Sequence, residues 1–144
     1  MNLASRLEGV PGLYACQIVI GPRTAELAHN DFLFRELDAI KVKGGEFPLA
    51  VFEPIAKRAQ ATAEEVDRVL RFAKALAHYR AMRFAEACTI WDALALLEQE
   101  SASNPGHEKE VGPNPGSKMG ERARALAANP PASPWDGVWV LTTK

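Results

Sequence analysis

Asn2 and Arg6 are the first residues of this chain whose types and spacing could do chemistry. Four residues apart on a helix, they share one face with Cβ atoms about 5 to 6 Å from each other, and Leu3 with Leu7 makes the opposite face. A carboxamide beside a guanidinium can hold a ribose and a phosphate. The same pair also suits an N-capping Asn followed by a solvated Arg. Lys41 and Lys43 alternate with Ile40 and Val42, so both ammonium groups leave one side of a strand, which is equally the pattern of a lysine-guarded sheet edge. Other chemistries find no support. His29, His78 and His107 lack the paired spacing of zinc ligands, and Cys16 and Cys88 are too far apart for a C-x-x-C site. There is no G-x-x-x-x-G-K-[ST] or G-x-G-x-x-G; Gly44 and Gly45 form only a bare pair. No Ser, His and Asp set stands in a nucleophile context.

The elements that must position these residues change character along the chain. Leu3, Ala4 and Leu7 mark a short helix over 2–8, which Gly9 and Pro11 are expected to stop. Cys16 to Ile20 reads as a strand ending at Gly21, and Pro22 opens a helix from Arg23 to Ala28. Phe32 to Leu37, Ile40 to Lys43 and Leu49 to Glu53 read as two or three antiparallel strands around a tight turn at Gly44 and Gly45. The expected class is α+β, with helices on one face of a sheet. At Thr62 the period becomes helical. Thr62 and Glu65 form a capping box, and Val66, Val69 or Leu70, Ala73, and Leu76 or Ala77 recur at helical spacing up to Tyr79. Phe84, Ala87, Cys88, Trp91, Leu94 and Ala95 continue as a second helix, so the two are expected to form an antiparallel hairpin over 62–98. Residues 101–118, with three prolines and three glycines, read as a flexible loop. A helix from Met119 to Ala128 follows, and Gly137 to Thr142 is strand-like. Val138, Trp139, Val140 and Leu141 call for this tail to dock back.

With 144 residues, 47% of them hydrophobic and 24% charged, the chain has the composition of one ordinary globular body with a packed core. Its net charge of −1 supplies no general pull toward nucleic acid or anionic lipid. Apolar runs fall short of the roughly 18 residues of a membrane span, no signal peptide is evident, and the cysteines read as reduced thiols, so a cytoplasmic location is expected.

One resemblance gives these residues a chemistry. The run Asn2, Leu3, Ala4, Ser5, Arg6, Leu7, Glu8 and Gly9 is followed by Tyr14, by Ile18, Val19, Ile20, Gly21 and Thr24, by Phe34, Arg35, Glu36, Leu37, Asp38, Ile40, Val42, Lys43 and Gly44, and by Pro48, Val51, Phe52 and Glu53. In order and spacing, residues 1 to 54 closely resemble the C-terminal third of a bacterial class III adenylate/guanylate cyclase domain. The anchors are N-L-A-S-R-L-E and R-E-L-D-x-I-x-V-K-G. The later half is similar to the tails of such cyclases, with a tetratricopeptide-like hairpin (Tyr79, Phe84, Ala87, Trp91) and an ending W-D-G-V-W-V-L-T-x-K in a helix and docking tail over 119–144. The resemblance implies a partial cyclase-type, ferredoxin-like sheet, and attack of a ribose 3′-hydroxyl on the α-phosphate of ATP or GTP to give a 3′,5′-cyclic nucleotide for intracellular signalling. It implies that Asn2 orients the ribose, Arg6 stabilises charge on phosphorus, and Lys43 contacts the terminal phosphates.

In that family Mg²⁺ or Mn²⁺ is held by two aspartates upstream of the Asn-containing helix, so the ligands are absent from this chain and it is expected to be inactive alone. The family works as dimers with composite sites; the implied partners are therefore the nucleotide and either a second cyclase subunit or the N-terminal half of the domain. Met1 stands where the family usually has Val, which suits a fragment of a longer protein. A different expectation rests on the well-capped hairpin of residues 62–98: a catalytically silent module that binds another protein.

Overall fold

The fold comes from a computed structural model and is described for residues 9–41, 47–102 and 113–141. Helix α1, Val10–Tyr14, follows Gly9 directly. Pro11 lies in its first turn, where the missing N–H would have had no partner anyway, and the helix expected over 2–8 lies outside the described residues. Ala15 at φ 55° closes the helix in the left-handed region. Further along, Pro22–Ala28 forms α2, again with proline in its first turn. The predicted strand Cys16 to Ile20 is squeezed between these two helices. Only Ile20 pairs, exchanging backbone bonds of 2.8 and 2.9 Å with Phe52.

Strand β1, Phe32–Lys41, runs without a break and pairs antiparallel with β2, Leu49–Lys57. Alternation suggests two strands here, separated near Asp38. The register shows why: it shifts between Glu36 and Asp38, and Leu37 and Asp38 are both buried side by side. That is a β-bulge, in which one extra residue on a strand opposes none on its partner. A second shift between Leu33 and Phe34 lets β2 continue past Pro54, a residue tolerated at irregular or edge positions of a sheet.

After a 3₁₀ turn at Arg58–Gln60 come α3, Ala63–Arg80, and α4, Phe84–Ala102. The capping box of α3 is formed in both directions: Glu65 N donates to Thr62 Oγ1 at 3.1 Å and Thr62 N donates to Glu65 Oε1 at 3.0 Å. Tyr79, Phe84, Ala87 and Trp91 are buried where the hairpin closes, with Tyr79 5.7 Å from Phe84 and 5.5 Å from Trp91 between ring centroids. Edge-on pairs of this kind add about 0.5–1.5 kcal/mol each beyond area burial.

Helix α5, Pro115–Ala128, begins within the expected loop rather than at Met119. Asn114 caps it, accepting from Ser117 N at 3.0 Å, and Pro115 sits at its first position. The helix packs on α4 through two glycines: a Cβ on Gly116 would lie 2.9 Å from the Trp91 carbonyl oxygen. The tail then crosses to the sheet as β3, Trp139–Val140, pairing parallel with Ile40 and Lys41 in the order β2-β1-β3. Trp135, Trp139 and Leu141 pack against the core. The class is α+β: a three-stranded mixed sheet joined to helices. No described helix is long and apolar enough to cross a membrane.

β3 meets only the last two residues of β1, and helix α3 packs against that strand. Arg35 and Glu36 point to opposite faces of β1, yet both reach α3: the Arg35 guanidinium lies 5.0 Å from the Phe72 ring centroid, and Glu36 pairs with Arg80 at 2.6 Å. A single helix thus straddles the strand.

Candidate functional site

Asn2 and Arg6 belong to residues 1–8, and Lys43 to residues 42–46; all three lie outside the described residues, as does the predicted turn at Gly44 and Gly45. The described elements beside them are closely tied. Residues 1–8 lead through Gly9 into α1, whose Tyr14 hydroxyl donates to Asp38 Oδ2 on β1 at 2.7 Å. Two residues before Lys43, the Lys41 carbonyl accepts from Leu141 N at 3.0 Å. The elements from which both segments leave are therefore joined by a buried hydrogen bond and share the core residues Val10, Tyr14 and Ile40.

The second cyclase-like anchor contains three charged residues on β1, and each takes its counter-ion from a different helix. Arg35 pairs with Glu98 on α4, Glu36 with Arg80 on α3, and Asp38 with Arg122 on α5. Arg35 also donates twice to Glu53 Oε1, its direct cross-strand neighbour, at 2.5 and 3.1 Å. Burial works against the Arg35 charge, but Glu53 and Glu98 more than restore it and its pKa rises. The same burial raises the Glu53 carboxyl, with Arg35 pulling the other way. Cys16, half-buried near Glu53, is pushed up to about 11, first by burial and then by that negative charge.

Asp38 is fully buried, and its other oxygen accepts from Ala39 N at 2.9 Å. The Arg122 guanidinium that closes it stacks 4.0 Å from the Trp139 ring centroid and 5.5 Å from that of Tyr14. Burial followed by the neighbouring Asp38 charge raises the Tyr14 phenol far above its ordinary range. Beside this cluster the Tyr79 hydroxyl is buried without a hydrogen bond of good geometry. Arg35, Glu53 and Glu98 are committed to one another, as are Asp38, Arg122 and Tyr14, and burial favours the protonated forms of the Cys16 thiol and the Tyr14 phenol.

Sequence reasoning missed Arg80, Glu98 and Arg122. Half of the signal is present in the chain: Arg35 and Asp38 occupy inward positions among Leu33, Leu37 and Ile40, and buried charges demand partners. The identity of the partners leaves no such trace, since 84 residues separate Arg122 from Asp38 and no periodicity links them.

On the other face of the sheet lies a cleft of about 380 Å³ between α2, β1, β2 and α3. Phe34, Phe52 and Val69 give it an apolar floor, and Glu26, His29 and Arg58 stand on its rim. Two of those rim groups are turned to backbone: His29 Nδ1 lies 2.8 Å from the Glu26 carbonyl oxygen, and Arg58 donates to the carbonyl of His29. Among the described residues no group of three or more His, Cys, Asp or Glu side chains could hold a metal ion.

Comparison of the chain with protein-family models, with curated proteins and with solved structures finds no match. The cyclase resemblance therefore rests on the residues themselves.

Proposed function

We propose that this chain is the C-terminal portion of an adenylate or guanylate cyclase that converts ATP or GTP into a 3′,5′-cyclic nucleotide. The observation that carries the reading is the pair of anchors, N-L-A-S-R-L-E and R-E-L-D-x-I-x-V-K-G, at their family separation. The antiparallel pairing of β1 with β2, which holds the second anchor, and the Tyr14–Asp38 bond linking it to the element after the first are both consistent with it. In this reading Asn2 orients the ribose, Arg6 faces the charge that develops on phosphorus, and Lys43 contacts the terminal phosphates. Fixed donors aimed at developing negative charge often make the largest single catalytic contribution.

The family's Mg²⁺ or Mn²⁺, which neutralises phosphate charge and activates the hydroxyl when bound, belongs to aspartates upstream of the Asn-containing helix. In this reading the second cyclase subunit or the N-terminal half of the domain supplies the ion and completes the site.

The test is complementation. The chain is mixed with a separately produced metal-bearing half of a class III cyclase, ATP or GTP, and Mg²⁺ or Mn²⁺, and cyclic nucleotide is measured. Product should form, and Arg6→Ala should reduce kcat by about 10²–10³-fold, the usual loss for one such donor. Undiminished turnover in that variant would remove Arg6 from the chemistry.

A further inference from the structure

Helix α3 has a second apolar face that the fold leaves uncovered. Its core face carries Phe72, Ala75, Leu76 and Tyr79, all buried. Val66, Leu70, Ala73 and Ala77 lie roughly 140° around the helix from that face at 3.6 residues per turn. All four are at least partly exposed, Val66 by 39% and Leu70 by 64%. Their spacing is four, three and four residues, the repeat by which one helix presents a seam to another. Val69 continues the surface into the apolar floor of the cleft beside Phe34 and Phe52.

The seam complements itself. When a second copy of α3 is laid antiparallel, with the two-fold axis passing between Arg71 and Phe72, Val66 meets Ala77 and Leu70 meets Ala73, a large side chain facing a small one at every layer. Asp67 and Lys74 border the same side of the seam, and a two-fold axis of this kind keeps that side in common. Asp67 of each copy then comes within about 3 Å, along the axis, of Lys74 on the other, at 1.5 Å rise per residue. Within its own helix Asp67 accepts from Arg71 at 2.8 Å.

We propose that α3 is a self-association surface through which two copies of this chain pair antiparallel, with Leu70 against Ala73 at the centre and Asp67 against Lys74 on the border. The surface is separate from the proposed nucleotide chemistry, and the pairing is read without nucleotide.

The experiment is a molar-mass measurement by light scattering or sedimentation over a concentration series. The wild-type chain should rise toward twice its monomer mass, and Leu70→Glu should stay monomeric with an unchanged circular-dichroism spectrum. Asp67→Lys and Lys74→Asp should each weaken pairing by about tenfold through like-charge contacts. An equimolar mixture of those two variants should regain pairing, because every border contact then joins opposite charges. A wild-type chain that stays monomeric, a pair that survives Leu70→Glu, or a mixture no tighter than its components would overturn the proposal.

Discussion

Asp38 and Arg122, 84 residues apart, form an ion pair inside the protein, with the carboxylate fully buried and the guanidinium nearly so. Removing one member leaves the other charged, desolvated and alone, which typically costs about 3–5 kcal/mol. Asp38→Ala or Arg122→Ala should therefore lower the urea midpoint sharply. Asp38→Ala combined with Arg122→Ala should lose much less than the sum of those two single changes, as expected of groups in direct contact. Additive losses in that cycle would mean that the two act independently.

The two glycines of α5 should respond differently to alanine. At Gly116 a Cβ would meet backbone, the Trp91 oxygen at 2.9 Å and the Ala95 nitrogen at 3.1 Å, so α4 and α5 must separate. Overpacking of this kind costs about 1–3 kcal/mol against a helix-propensity gain of about 1 kcal/mol, and Gly116→Ala should be destabilising. At Gly120 the obstacle is the tip of the Asp92 side chain at 2.6 Å, which can swing away. That movement gives up the exposed Asp92–Arg124 pair, worth about 1 kcal/mol or less, and a weak thiol hydrogen bond from Cys88 at 3.4 Å. Gly120→Ala should therefore be near neutral in thermal unfolding.

Glu53 gives stability an unusual pH dependence. Burial, opposed by Arg35, holds its carboxyl above the ordinary 4.5, so the folded chain binds this proton more tightly than the unfolded chain does. The stabilising contribution is complete below 4.5 and fades as pH rises through the folded value. Measured against wild type, Glu53→Gln should become relatively more stable as pH is raised over that interval. Arg35→Ala, which leaves Glu53 and Glu98 facing each other, should unfold more easily than either single Glu→Gln variant at neutral pH.

Both thiols should label slowly. Cys16 is pushed up to about 11, so at pH 8 roughly one molecule in a thousand carries its thiolate. Cys88 is raised as well, by burial and then by Asp92. Iodoacetamide should modify the native chain well below the rate of the urea-unfolded chain. Glu53→Gln should accelerate labelling of Cys16 and leave Cys88 unchanged, which separates the electrostatic cause from simple exclusion of the reagent.

What can be read from the sequence is local. The α3 capping box, the helix opened by Pro22 and the apolar stripe of α4 depend on neighbours within four residues, and all three are present. The stripe read for α3 is corrected: Val66, Leu70, Ala73 and Ala77 stay exposed, and of its residues only Leu76 joins Phe72, Ala75 and Tyr79 on the buried face. The errors arise where tertiary contacts override local pattern. Ile18, Val19 and Ile20 favour a strand by composition, but the helices on either side leave room for one bridge. Asn114-Pro115 reads as loop chemistry and is a capped helix start, a signal that Ser117 three residues later could have revealed. For the candidate site, the charged residues of R-E-L-D stand out in the sequence, two of them at inward positions of an apolar strand. Their ties to Glu98, Arg80 and Arg122 depend on which helix covers which part of β1, and spacing along the chain carries no such information.

The extra residue at Leu37 sets the phase of β1. Odd-numbered side chains, Leu33, Arg35 and Leu37, turn inward before it, and even-numbered ones, Asp38 and Ile40, turn inward after it. In a strictly alternating strand Arg35 and Asp38 would look out of opposite sides, and one of them would lose its counter-ion. That half-step allows a cation for α4 and an anion for α5 to be mounted on the same side of a single strand at an odd spacing of three positions, which a regular strand would send to opposite faces.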